Sequence, residues 1–174
     1  IKDSMMVVGG RGTEALHHLV SSERKLLKEG VLLKACRAKN KPFMFWLFNN
    51  CLLYATPMGT LGGSKYQYQF NRVMMLSDCF VRESRVDPLS FELLSAEKSF
   101  ALWCDTVGEA KEWASALRDA IQEAREAKGL KPEDVRAAAP LWVQESEATA
   151  CNVCQEAFGW AIVGGRQKHH CRSC

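Results

Sequence analysis

The spacing of apolar residues changes along the chain, and its first pattern predicts a helix. Between residues 13 and 27 apolar side chains recur every three or four positions, with Leu16 and either Leu19 or Val20 on one side. This spacing is typical of a short amphipathic helix. Gly30 is expected to end it, because glycine commonly follows the last turn of a helix.

Beyond Gly30 the apolar residues come in short runs, separated about every ten residues by polar or glycine-rich turns. Such runs are typical of short antiparallel strands. We predict seven of them, at residues 31–37, 43–49, 51–56, 66–72, 79–83, 89–94 and 99–105. Strands of this length joined by tight turns favour a closed or nearly closed sheet.

A second helical pattern runs from residue 107 to about residue 128, with Thr106 suited to cap its start and Gly129 its end. Its apolar stripe consists of Ala110, Trp113, Leu117, Ala120, Ile121 and Ala124. The open end of the sheet is the apolar surface available to this stripe. We therefore expect Trp113 to plug that end of the sheet.

The composition fits one globular domain with a small appendage. The chain has 174 residues, of which 47% are hydrophobic and 25% charged. A net charge of +3 is modest, so any anionic partner must be met by a local basic cluster. No apolar run reaches the roughly 18 residues that a membrane span needs, so we expect membrane association to be peripheral.

Four of the eight cysteines are scattered singly among apolar residues, at Cys36, Cys51, Cys79 and Cys104. We interpret them as buried reduced thiols, because free cysteine behaves as a small buried hydrophobe. A reducing, cytoplasmic setting follows from that interpretation. Since the chain starts at Ile1 and stops on a candidate metal ligand, we expect it to be a fragment.

The other four cysteines form two Cys-x-x-Cys pairs, Cys151 with Cys154 and Cys171 with Cys174. Sixteen residues separate the pairs, and this spacing is typical of zinc sites, in which a tight turn brings two thiolates to one ion. On spacing alone the four thiolates form a single tetrahedral site. Zinc is therefore the predicted cofactor.

Basic and titratable side chains surround the third cysteine of this set, at Lys168, His169, His170 and Arg172. A purely structural zinc site does not require them. Ammonium, imidazole and guanidinium groups together favour binding of an anion. The segment therefore predicts a rigid anion pocket beside the metal.

Seven strands closed by a helix with a central tryptophan resemble a pleckstrin-homology (PH) domain. The chain further resembles the phafin family, in which one PH domain is followed by one FYVE zinc finger, and the PH-FYVE regions of Rho-family exchange factors are similar. The segments that carry this resemblance are Glu29–Arg37, Trp46–Tyr54, Lys98–Ala101 and Leu141–Thr149. It implies an N-terminal helical extension (1–28), a PH domain (29–128), a linker (129–140) and a partial FYVE finger (141–174).

The FYVE motifs match residue by residue, with departures. Trp142 is kept before the first cysteine pair, whereas Glu145 stands where the family has aspartate. In the basic motif Gln167 replaces the first arginine, and the neighbouring Arg166 is a candidate substitute. The loop between the second and third cysteines is about four residues longer than usual, and the last four family cysteines are absent.

The family topology implies a different zinc arrangement from the one that spacing alone predicts. It is a crossed brace, in which Cys151 and Cys154 bind one zinc while Cys171 and Cys174 bind another. Each of these sites would then be half filled. We expect the finger to be disordered, held by a single rearranged zinc, or completed by residues outside this sequence. Histidine ligands are a minor alternative.

The resemblance implies a phosphatidylinositol 3-phosphate site at Arg166, Lys168, His169, His170 and Arg172, and membrane insertion by Trp160, Ile162 and Val163. From burial preferences alone the latter three would pack against the zinc core. In the PH domain a basic loop of Lys34, Arg37, Lys39 and Lys41 lies where phosphoinositide-binding members present theirs, although Phe43 replaces a basic residue. A solvated basic loop on a protein-binding PH domain is the alternative.

The predicted function is therefore a phosphoinositide-binding adaptor, peripheral on endosomal membranes, with a possible protein partner for the PH domain. The alternative is the PH-FYVE part of a Rho-family guanine-nucleotide exchange factor, with the helix at 13–27 ending its catalytic domain. Nucleic acid is not an expected partner, because the aromatics do not interleave with a basic surface. No nucleophile and base stand at a recognisable spacing, so we do not expect an enzyme.

Overall fold

A computed structural model of the chain describes residues 6–7, 23–36, 39–60, 66–131, 138–139, 141, 149–151, 154–155 and 157. For residues 6–7, 59–60 and 66–67 it describes the backbone alone. Most of the predicted first helix and most of the predicted finger lie outside these ranges. The predicted PH domain lies almost entirely within them.

Seven antiparallel strands and one C-terminal helix form the body of the domain, which is mainly β. Within the described residues the elements are, in chain order, β1 (Met6–Val7), β2 (Leu26–Lys34), β3 (Lys41–Phe48), β4 (Cys51–Thr60), β5 (Tyr66–Met75), a short 3-10 helix (Leu76–Asp78), β6 (Cys79–Glu83), β7 (Ser90–Ser95), β8 (Phe100–Trp103) and α1 (Val107–Glu126). The sheet order is β1-β5-β4-β3-β2-β8-β7-β6, with β1 parallel to β5 and all other pairs antiparallel. All seven predicted strands are confirmed.

The sheet wraps around a single inner core, because all seven antiparallel strands and α1 contribute side chains to it. Each of these eight elements, β2 to β8 and α1, contributes at least one side chain; in that order, examples are Leu32, Phe45, Leu52, Met74, Cys79, Phe91, Phe100 and Trp113. Trp113 is only 1% exposed, and the rest of the predicted stripe on α1 is buried with it. The expected role of Trp113 as the plug of the sheet is confirmed.

The predicted end of the first helix is wrong. Strand β2 already begins at Leu26, so Leu26 and Leu27 are extended, and Gly30 lies inside the strand. A Cβ atom on Gly30 would lie 3.3 Å from Cζ2 of Trp113. Glycine therefore stands here because the indole packs closely against the strand, a tertiary requirement that the local pattern does not contain. Strand β2 also crosses the domain boundary predicted between residues 28 and 29.

Both predicted caps of α1 are confirmed. The hydroxyl of Thr106 accepts a hydrogen bond from the backbone N–H of Glu109 at 3.1 Å. At the other end Gly129 has φ +65°, and its N–H donates to the carbonyl of Glu126. Glycine adopts this left-handed conformation without steric cost, which is why it closes helices so often.

Replacing Thr106 by alanine is expected to lower the free energy of unfolding by about 1 kcal/mol, because the N–H of Glu109 loses its acceptor. Chemical denaturation of the purified chain measures this. Thr106→Ser is the matched control, since it keeps the accepting hydroxyl and should change stability by only a few tenths of a kcal/mol, about the spread of ordinary surface substitutions. Equal losses in both variants would show that the cap contributes nothing.

Three of the four scattered cysteines are buried thiols, as predicted, at Cys51, Cys79 and Cys104, whereas Cys36 is half-buried. Burial is the main reason that the pKa of Cys79 and that of Cys104 are each raised to about 12, and nearby carboxylates add to it. Burial also raises the pKa of Cys51. These thiols stay protonated near neutral pH, so they are poor nucleophiles.

A second apolar cluster lies on the opposite face of the sheet from the inner core. It comprises Trp46, Phe48, Cys51, Leu53, Ala55 and Phe70, with Met44, Tyr68 and Val73 packed against it, and is called the outer-face cluster below. All of these residues belong to β3, β4 and β5. The sequence pattern did not predict it.

The predicted linker makes at least one contact with the domain, because the N–H of Ala139 donates to the carbonyl of Ser95 at 2.8 Å. Among the helices in the described part of the chain, none is long and apolar enough to cross a membrane.

Candidate functional site

Lys34, the last residue of β2, is a buried lysine that lies among aromatic rings. Alternation along β2 turns Leu32 and Lys34 toward the inner core, and Lys34 is only 6% exposed. Its ammonium nitrogen lies 4.8 Å from the ring centroid of Phe100, 5.4 Å from that of Phe43 and 5.7 Å from that of Tyr54. The alternative interpretation, a solvated basic loop, is therefore wrong for Lys34.

Among the described residues, few groups compensate the charge of Lys34. Its ammonium donates to the carbonyl of Ala35 at 3.3 Å, and no carboxylate among the described residues contacts it. Burial lowers its pKa, and the charge of Lys98 lowers the pKa further, while the Cys36 thiol opposes both. Since an ammonium group has three donors, this site is chemically suited to accept an anion.

Other lysines lie around Lys34 at the same end of the sheet. Lys41 is its register partner across the β2–β3 hairpin, and Lys39 is exposed in the turn between them. Lys98 lies in the β7–β8 turn, which is adjacent because β8 pairs with β2. We call Lys34, Lys39, Lys41 and Lys98 the lysine mouth. Among the described residues none of the four forms a salt bridge.

Sequence reasoning found three members of the lysine mouth and missed Lys98. The structure adds it because antiparallel pairing of β2 with β8 brings two hairpins together that are distant in sequence. The predicted fourth member, Arg37, lies outside the described residues, between the described Cys36 and Lys39. The sequence did contain one signal that could have identified Lys98 as a member of the site: it lies in the turn between two predicted strands.

Two buried serines hold the backbone that carries Lys98. The Ser95 hydroxyl accepts from the N–H of Lys98 at 3.1 Å and donates to its carbonyl at 3.0 Å, while the Ser99 hydroxyl accepts from the N–H of Ser95. Both serines are 5% exposed. In the same turn Glu97 pairs with Arg72 at 3.2 Å. The turn is therefore internally hydrogen-bonded, and its acidic residue is engaged by an arginine.

A cavity of about 350 Å³ lies where the sheet is open, between β5 and β6, and Lys98 of the lysine mouth is among its lining residues. Both signs of charge line the cavity: the basic residues are Arg72, Lys98, Arg125 and Lys131, and the acidic residues are Asp78 and Glu97. Arg125 donates to the carbonyls of Ser77 and Cys79, so its guanidinium already bridges the chain from β5 to β6. The cavity has no single sign of charge that would select an anion.

The first cysteine pair lies where the chain turns back on itself. Ala150 and Ala157 form an antiparallel bridge around it, and the N–H of Gln155 donates to the carbonyl of Cys151 at 3.0 Å. Gln155 has φ 59°, so the turn after Cys154 is tight. A tight turn with two thiols three residues apart fits half of the donor set of a zinc site.

The remaining predicted site residues lie outside the described residues. These are the ligands Cys171 and Cys174, the headgroup residues Arg166, Lys168, His169, His170 and Arg172, and the insertion residues Trp160, Ile162 and Val163. Within the described ranges no group of three or more cysteine, histidine, aspartate or glutamate residues is placed to bind a metal ion. Zinc binding by this chain stays a prediction.

Human FYVE, RhoGEF and PH domain-containing protein 6 is 33% identical over 176 residues, which is 91% of this chain and 12% of that protein. Human pleckstrin homology domain-containing family F member 2 is 31% identical over 154 residues, or 87% of this chain and 58% of that protein. The chain thus spans less than two thirds of either relative. Both resemblances support homology of the PH domain.

Solved structures show the same fold at low identity. The DH/PH fragment of PDZ-RhoGEF in complex with human RhoA covers 67% of this chain and 34% of its own, with a TM-score of 0.53 and 18% identity. The match to the linker-DH/PH domains of p115-RhoGEF covers 66% of this chain and 34% of that one, with a TM-score of 0.51 and 20% identity. A sequence profile described as the SOS1/NGEF-like PH domain matches residues 20–120. The chain belongs to the family of SOS1/NGEF-like PH domains.

Proposed function

We propose that this chain is recruited to membranes by binding phosphoinositide headgroups. The observation that carries the proposal is Lys34, a buried ammonium with no carboxylate contact among the described residues and three further lysines around it. A phosphorylated headgroup would supply the missing negative charge. Each charge-assisted hydrogen bond it forms contributes about 1.5–3 kcal/mol.

The C-terminal finger is proposed as the second membrane contact, with phosphatidylinositol 3-phosphate as its ligand and the endosome as its location. Cys151 and Cys154, together with Cys171 and Cys174, would hold zinc, whose role here is to fix the fold of the finger. Support comes from the turn around Cys151 and Cys154 and from a relative whose name includes a FYVE domain. Two weak contacts on one chain strengthen each other through effective concentration.

Co-sedimentation with vesicles tests the finger. Vesicles should contain each mono- or bis-phosphorylated phosphoinositide in turn, with phosphoinositide-free vesicles as the control. We expect selective binding to the 3-phosphate lipid, reduced at least about tenfold by a zinc chelator and equally by Cys154→Ser, because structural zinc sites collapse without metal or a thiolate ligand. Chelator-insensitive binding would mean that the finger does not recognise this lipid.

A protein-binding role in a Rho-family exchange factor is the second candidate. It is favoured by a relative named for RhoGEF, FYVE and PH domains that aligns with 91% of this chain. Under this proposal the PH domain would follow a catalytic helical domain of about 180 residues, an ordinary domain length. Sequencing the gene on both sides of the region that encodes these residues tests it, since a coding sequence without such a domain before residue 1 would exclude the exchange-factor role.

A further inference from the structure

Strand β2 carries apolar side chains that are open to water on the outer face of the sheet. Leu32 and Lys34 are buried on the inner side, so the alternating residues Val31 and Leu33 point outward. Val31 is 55% exposed and Leu33 is 39% exposed. They therefore differ from the outer-face cluster on β3 to β5, whose members are buried or partly buried.

The neighbouring strands extend this apolar surface. Leu33 lies in one register row between Pro42 of β3 and Trp103 of β8, and Val31 pairs with Met44 of β3. Pro42 is exposed, while Met44 and Trp103 are half-buried. We call Val31, Leu33, Pro42, Met44 and Trp103 the hairpin apolar face. Single exposed apolar residues are ordinary on a protein surface, whereas a contiguous group of them marks an interaction site.

The hairpin apolar face adjoins the lysine mouth. The register row that follows Leu33 and Pro42 is formed by Lys34 and Lys41, one residue further along each strand. At about 3.3 Å per residue, the Leu33 row lies about 3 Å and the Val31 row about 10 Å from these lysines. The same end of the β2–β3 hairpin thus presents lysines on its inner side and apolar side chains on its outer side.

Negative charge lies only on the sides of this face that are remote from the hairpin tip. Glu29, the next outward residue of β2 after Val31, is exposed about 17 Å along the strand from Lys34. On the β7 side Asp87 accepts a hydrogen bond from the indole N–H of Trp103 at 2.8 Å. Among the described residues from 31 to 44, all charged side chains are lysines. This distribution of charge complements an anionic surface.

We infer that the hairpin apolar face is a membrane-contact surface whose partner is an anionic lipid bilayer. The inference rests on the proposed function, because headgroup binding at the lysine mouth brings the hairpin to the bilayer. Val31 and Leu33 then enter the boundary between headgroups and acyl chains, while Lys39 and Lys41 keep their ammonium groups at the phosphates. Amphipathic helices on membranes bury their apolar faces about 5–10 Å deep, which matches the depth of the two apolar rows. A bilayer accounts for the lysines and the apolar residues together.

The double variant Val31→Thr with Leu33→Thr tests this inference in the full 174-residue chain. Threonine is polar but favours strands, so the hairpin should persist. On vesicles with bis-phosphorylated phosphoinositides and a zinc chelator, we expect affinity to fall at least about fivefold, because less apolar area leaves water. Calorimetric affinity for a soluble inositol trisphosphate should stay unchanged. Lys34→Met should weaken both, so the two measurements separate the apolar contact from headgroup binding.

Val107→Thr is the matched control, because it makes the same change at a 37% exposed position on α1, outside the hairpin, and should retain vesicle affinity. Unchanged vesicle affinity in the double variant would overturn the inference and leave the proposed function standing. An equal loss of affinity for the soluble headgroup would also overturn it, since both residues would then act through the lysine mouth. Absence of phosphoinositide-dependent binding by the wild type would overturn both.

A second measurement covers the case in which the double variant unfolds. A solvent-sensitive fluorescent amino acid at position 33 of the otherwise unchanged chain should shift to shorter wavelength when the protein binds these vesicles, and lipids with brominated acyl chains should quench it. The same group at position 107 should show neither effect. A probe at position 33 that stays in water while the protein sediments with the vesicles would overturn the inference.

Discussion

Trp113→Ala is expected to lower the free energy of unfolding by about 3–5 kcal/mol. The indole is 1% exposed and belongs to the inner core, to which all seven antiparallel strands contribute. Removing it loses the transfer free energy of the ring and leaves a cavity. Domains of this size are stable by about 5–15 kcal/mol, so the variant should lose a large fraction of its stability.

Trp103→Ala is the matched control, because the same side chain is removed from a half-buried position. Its indole N–H donates to the carboxylate of Asp87 at 2.8 Å, so a loss of about 1–2 kcal/mol is expected. Urea denaturation of both variants supplies the comparison. Equal losses at the two positions would contradict the role of Trp113 as the plug.

Gly30 offers a finer check on the same contact. A methyl group there would lie 3.3 Å from the Trp113 ring, so Gly30→Ala should destabilise the wild type. In the Trp113→Ala background the ring is absent and the cost should disappear. A coupling energy of at least about 0.5 kcal/mol in this double-mutant cycle indicates that the two residues contact each other.

The strands and the helix of the fold could be predicted because the spacing of apolar residues along the chain follows which positions are buried. All seven strands and α1 follow from it, with Thr106 and Gly129 as caps, since capping depends on residues within one turn. Where the prediction failed, the cause was tertiary. Leu26 to Gly30 form a strand because β3 and Trp113 pack against them, and no local signal contains that contact.

The candidate site was predicted in part for the same reason. Charges near one hairpin are visible in the sequence, and Lys39 and Lys41 lie there. Which of the hairpin lysines is buried depends on strand alternation, which selects Lys34. The inclusion of Lys98 in the site depends on the pairing of β2 with β8. A lysine at the end of a strand is ordinarily exposed, so the burial of Lys34 could be recognised only in the folded sheet.

Lys34→Met is expected to weaken binding of phosphoinositide vesicles at least about tenfold without lowering the melting temperature. This expectation rests on the proposed function. Methionine keeps much of the side-chain length and apolar contact, while the buried ammonium is lost. Burying a charge without a carboxylate partner is costly, and the ring contacts recover only about 0.5–2 kcal/mol. Stability should therefore be unchanged or higher.

The pH dependence of stability follows from the same burial. Because the pKa of Lys34 is lowered in the folded state, the unfolded chain holds this proton more tightly. Wild-type stability relative to Lys34→Met should therefore rise as pH increases from the lowered pKa toward the ordinary lysine value of 10.5. Thermal unfolding of both proteins at increasing pH measures the difference, and a falling difference would contradict the lowered pKa.

Binding should be measured on vesicles with bis-phosphorylated phosphoinositides in the presence of a zinc chelator, so that the finger does not contribute. Lys111→Met is the matched control, because it removes the same charge from an exposed position on α1, away from the lysine mouth. We expect the control to retain both binding and stability. Unchanged binding by Lys34→Met would remove the lysine mouth as a headgroup site, whereas loss of stability would assign Lys34 to the core. If the proposal holds, Lys34→Met should weaken binding while stability is unchanged or higher. The reason is that the same buried charge destabilises the fold and binds the phosphate.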